Sequence, residues 1–149
     1  MLTKYVKDGV LHIVYQEKKD IDDEIIFFAN AYEGYIPERI GFNFPVEEMI
    51  KHDARHPFVK QCLKDQVKYV IVYKKGDVLT MNHELCHAKY GMDEKYRKDV
   101  STLWESLSDK YKKNVKYMLK RMKYPEKDAI ILDEFQAYYF TEKGLFGKI

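Results

Sequence analysis

Cysteine is scarce in this chain, and no apolar run approaches the length of a membrane span. Cys62 and Cys86 alone cannot build a disulfide framework, so reduced thiols in a reducing compartment are expected. The start, MLTKYVKDG, is charged and offers no apolar segment of the kind that directs secretion. An intracellular, soluble protein without a membrane partner is the expectation. Internal repeats, low-complexity tracts and linkers are also missing, and 149 residues fit one domain spanning 1–149. Net charge is only +2, which selects no partner by itself. The charge is uneven, however: Lys95 to Lys127 holds eleven Lys/Arg against four Asp/Glu. Such a stretch is ordinarily a solvated face, and it can also make weak contact with nucleic acid or anionic lipid.

What is present reads as strands and helices followed by helices alone. Val10–Tyr15 is apolar, β-branched and preceded by Gly9, a strand signature. Asp20 to Glu33 carries acidic residues first and Ile21, Ile25, Phe28 and Tyr32 at helical spacing, with Gly34 and Pro37 to end it. Arg39–Phe44 alternates as a second strand. Pro45 opens a helix that Pro57 interrupts, with a shorter piece running to about Gln66. Val67–Tyr73 is the strongest strand signal, and Asp77 is placed to cap the helix that follows and stops near Gly91. Two helical segments meeting near Ser108-Asp109 cover Tyr96 to Tyr124. A last helix runs from Glu126 to about Phe140, with Ile130, Ile131, Phe135, Tyr138 and Tyr139 as its apolar residues, and the tail TEKGLFGKI reads as loose. The order predicts an α+β fold with one small sheet.

Within the helix after the strongest strand lies His83-Glu84-Leu85-Cys86-His87, an H-E-x-x-H. Residues four apart share a helix face, so both imidazoles can reach one metal ion, while Glu84 is turned by about 100° to stand beside a metal-bound water. Zinc takes neutral nitrogen ligands and lowers the pKa of a bound water toward about 7, and a carboxylate then removes its proton. By composition alone this motif arises in roughly one such sequence in seventy. A third ligand is available in Asp133-Glu134-Phe135-Gln136-Ala137-Tyr138, where a carboxylate among apolar neighbours is costly to bury without a cation or partner. Glu134 has the longer reach. Asp133 can stay solvated or accept from a ligand imidazole. Cys86 points about 100° from His87 and reads as a packing residue. His52 and His56 repeat the spacing of four, but without a glutamate, with Arg55 between them and Pro57 next.

Strand, H-E-x-x-H helix and later glutamate together resemble the gluzincin zinc metallopeptidases, closest to the minimal minigluzincins and ImmA/IrrE-like domains. The likeness covers about residues 67–140 and implies a zincin-like fold: a small, mostly antiparallel sheet packed on the active-site helix, with a mainly helical C-terminal half. It implies one Zn2+ held by His83, His87 and Glu134, Glu84 as general base, and a peptide or protein substrate. It further implies that the strand before the helix is an edge strand pairing with substrate through Tyr69, Val70, Ile71 and Val72. A site closed by a third histidine does not fit, since position 93 is Asp93 and no histidine follows His87. Larger gluzincins carry an aspartate where this chain has Tyr138, so orientation of the first histidine falls to Tyr138, Asp133 or a backbone carbonyl. Tyr138, Tyr139, Tyr90 and His56 are the candidates for stabilising an oxyanion. Two further readings follow from the same residues: a zinc-binding module without proteolytic activity, or a nucleic-acid-associated protein using the basic helices of residues 96–127.

Overall fold

The structure, a computed structural model, describes residues 1–36, 38–142 and 144–147. It is α+β and divides into two compact units, Met1–Ala88 and Lys89–Ile149. Pro37 lies outside the described residues. Among the described residues no helix is long and apolar enough to cross a membrane.

The first unit is organised by a four-stranded mixed sheet in the order β1-β2-β4-β3. β1 (Leu2–Lys7) and β2 (Val10–Tyr15) form an antiparallel hairpin around Asp8-Gly9. Both turn residues have positive φ (52° and 79°), the conformation that a two-residue Asp-Gly hairpin turn demands. β2 runs parallel to β4 (Tyr69–Lys74), and β4 runs antiparallel to β3 (Phe42–Pro45). The return from β2 to its parallel neighbour passes through α1 (Asp23–Glu33), β3, α2 (Val46–Asp53) and α3 (Pro57–Lys64). Alternation along the strands assigns their side chains to two cores. Leu11, Ile13, Tyr15, Phe42, Phe44, Val70 and Val72 pack with Ile25, Phe28, Met49 and Val59 of the three helices. Val10, Tyr69, Ile71 and Tyr73 face the other way, onto Met81, Leu85 and Ala88 of α4 (Val78–Met92).

This order corrects one expectation. Tyr69, Val70, Ile71 and Val72 do not form an edge: each is in register with a residue of β2 on one side and of β3 on the other. Their backbone groups are therefore committed within the sheet, and no substrate strand can be added there. The apolar run Tyr69–Tyr73 shows that both faces of the strand are covered, and its place between β2 and β3 comes from pairing with distant segments. The edges belong to β1 and β3. β1 escaped the sequence reading because its side chains are mostly exposed and two are lysines, a composition that blunts an edge.

Boundaries shift for local reasons. A 3-10 turn at Lys18–Asp20 precedes α1, where the Asp20 carboxylate accepts from the Glu17 amide, so the helix starts at Asp23 and not Asp20. Tyr32 ends up 37% exposed, off the buried stripe. β3 begins at Phe42 because Arg39 is turned back onto the end of α1, donating to Glu33, Asn30 and the Gly34 carbonyl and stacking over the Phe42 ring.

The second unit is helical: α5 (Glu94–Ser106), α6 (Asp109–Arg121) and α7 (Asp128–Thr141). Asp93 and Ser108 cap α5 and α6 by accepting from Tyr96 and Tyr111 amides, as the Ser108-Asp109 break suggested. Val100, Trp104, Tyr111, Val115, Leu119, Ile131 and Phe135 make its core. The tail is not loose throughout, since Phe146 is only 2% exposed and stacks on Phe135 with ring centroids 6.2 Å apart.

Candidate metal centre

α4 starts on a cap that the sequence foretold. Asp77 accepts from the Thr80 amide at 3.0 Å and from the Thr80 hydroxyl at 2.6 Å, which satisfies an orphan amide and fixes the first turn. One turn on, His83 and Glu84 project from a helix already anchored to the sheet by Met81, Leu85 and Ala88. His83 and His87 share a face, and their Nε2 atoms are 3.3 Å apart. That spacing is a hydrogen-bond distance between the two rings and is also compatible with a shared metal ion. Two nitrogens bound at about 2.05 Å to a tetrahedral zinc are about 3.3 Å from each other. Burial, and then the neighbouring His87, push the His83 pKa down to about 3, so the ring is neutral across the physiological range and offers a lone pair.

Glu134 sits in the middle of α7, where Glu134, Phe135, Gln136 and Ala137 are all buried. Four consecutive buried residues sweep about 300° of the helix circumference, so α7 is covered on nearly every side and its carboxylate is held away from bulk water. His83, His87 and Glu134 form the one group of three among the described residues that could hold a metal ion: one ligand atom from each lies within 4.8 Å of the others. Two imidazoles and a carboxylate suit zinc, as they suit several other divalent metals.

Glu84 is outside that group and is also buried, 5% exposed. The residue that makes room for it is Gly41, which the sequence reading did not single out. A Cβ on Gly41 would come 2.7 Å from Glu84 Oε1 and 2.6 Å from Thr80 Cγ2. Only a glycine lets the chain entering β3 lie this close to the carboxylate. The segment is held from both sides, by Arg39 on α1 and by Asn43, which donates to Glu33 and accepts from Tyr69. Gly41→Ala is expected to cost about 1–3 kcal/mol of stability by overpacking and to turn the Glu84 side chain away. Denaturant unfolding reads the first effect, and a stability equal to wild type would show that the contact is not constrained.

The remaining candidates are placed as follows. The Asp133 carboxylate and carbonyl both accept from the buried Gln136 amide, whose oxygen accepts in turn from Tyr96. Gln136 and Tyr96 carried no motif signal, and only the fold reveals this network. Tyr138 shares a hydrogen bond with Tyr124 at 3.0 Å, and Tyr139 packs on Phe135. The Tyr90 hydroxyl is pushed up in pKa by burial and by Asp133. His56 is a helix cap, its Nδ1 accepting from the Phe58 amide, and His52 lies edge-on to Phe27, which explains their spacing without a metal. Cys86 is half-buried. No protein-family model, curated protein or solved structure matches the chain.

Proposed function

We propose that the chain is a zinc metallopeptidase of the gluzincin kind. The observation that carries this reading is the His83–His87–Glu134 group with a buried glutamate one residue along the same helix. The donor set fits zinc in number and type, with three protein ligands leaving a fourth position for chemistry. Zinc bound there supplies Lewis acidity, polarising a carbonyl and bringing a water's pKa to about 7. Glu84 then acts as general base, taking the proton from the attacking water and passing it to the departing amine.

Substrate binds along β3 in this reading. β3 is an edge strand, and Gly41 at its entry borders the Glu84 carboxylate, so a peptide pairing with its outer backbone groups passes the base. The backbone carries affinity and the choice of side chains is broad. Purified full-length protein is expected to hold about one zinc per chain and to cleave an unfolded protein substrate, with activity lost to a chelator and restored by zinc. Absence of stoichiometric metal would overturn the proposal. Zinc without hydrolysis would reduce it to a zinc-binding module, with Tyr138 standing where larger gluzincins have their aspartate.

A further inference from the structure

α6 holds six of the chain's 26 Lys/Arg residues and one of its 24 Asp/Glu residues, so the rest of the chain is net acidic. The helix buries Tyr111, Val115 and Leu119 on one stripe. Lys110, Lys113, Lys116, Tyr117, Lys120 and Arg121 are all exposed on the remainder. Among the described residues, carboxylates reach its margins: Glu105 pairs with Lys112 and Glu126 with Lys120, while Asp109 occupies the first turn. In the middle of the basic face stands Tyr117, 60% exposed, with the Arg121 guanidinium 5.8 Å from its ring centroid.

We propose that this face of α6 binds single-stranded nucleic acid, its cations on successive phosphates and Tyr117 as a platform for one base. Each component has a reason. A cluster of like charges on one helix opposes its own folding and is relieved by a polyanion. Lys110 to Arg121 spans about 16 Å, the length of four or five nucleotides of one strand at about 3.4 Å each. A large exposed ring flanked by cations is the arrangement on which an unpaired base stacks, with the arginine adding a cation–π contact. A duplex would hide its bases from Tyr117. An anionic membrane would hold this face by charge and the ring of Tyr117 alone, since it presents no aliphatic side chains to add buried apolar area. The surface is independent of the metal centre and its activity.

The test is fluorescence anisotropy of labelled oligo(dT) and oligo(U) with the full-length protein, beginning near 20 mM salt. With about four phosphates neutralised, affinity is expected to fall about 50-fold between 50 and 200 mM salt. Tyr117→Ala should weaken binding about 10-fold with an unchanged salt slope, and Tyr117→Trp should keep it. Lys113→Glu with Lys116→Glu should flatten the slope, and because all three positions are exposed, circular dichroism should report an intact helix. The proposal is overturned by absence of binding at low salt or by indifference to Tyr117→Ala. It is equally overturned if duplex DNA, phosphatidylserine vesicles or polyglutamate compete as well as the single strand.

Discussion

Glu84→Gln is expected to slow peptide hydrolysis by about 10²- to 10⁴-fold while bound zinc stays at the wild-type level. The amide copies the carboxylate in size, so the close approach to Gly41 is preserved and the fold is not the variable. What it removes is the one carboxylate on α4. Because Glu84 is rotated by about 100° from His83, its loss leaves the ligand set intact. Metal analysis and single-turnover kinetics on one preparation separate the outcomes. An undiminished rate removes Glu84 as the base. Zinc lost along with activity would instead make Glu84 a ligand, and the division of labour along the helix would have to be redrawn.

The parts of the molecule that were legible in the sequence are those fixed by local chemistry. Asp77 and Ser108 advertise helix starts because their side chains satisfy amides within three residues. His83 and His87 advertise a shared face because the helical period alone brings them together. Sheet order is different in kind. β4 is placed between β2 and β3 by pairing with residues far away in sequence, and its uniform apolarity records only that it is covered, not by what. The same limit hid Gly41. A glycine before a strand looks like punctuation, and its meaning depends on a carboxylate 43 residues later in the chain arriving beside it. β1 was missed for a third reason, since a polar edge strand has no buried face to impose alternation, and only its Asp-Gly turn gives it away.

Glu134→Ala is expected to weaken zinc binding by more than about 100-fold, beyond the 10- to 100-fold typical of losing an outer-shell partner. The stakes are larger than affinity, because Glu134 is a carboxylate in a helix segment with four consecutive buried residues. A metal ion that binds the folded chain and not the unfolded one stabilises it by mass action. Zinc at a thousandfold excess over its Kd should therefore raise wild-type stability by about 4 kcal/mol, and this metal-dependent increment should nearly vanish in Glu134→Ala. Without metal, wild type and Glu134→Ala give the two baselines from which the metal-dependent increment is read. Glu134→Gln separates charge from shape, because it keeps the side-chain volume and one oxygen but not the anion. If zinc protects Glu134→Ala from unfolding as well as it protects wild type, the carboxylate is not a ligand, and His83 and His87 must find their third partner elsewhere. If protection is lost in both variants, the Glu134 carboxylate is a ligand that the metal site needs as an anion.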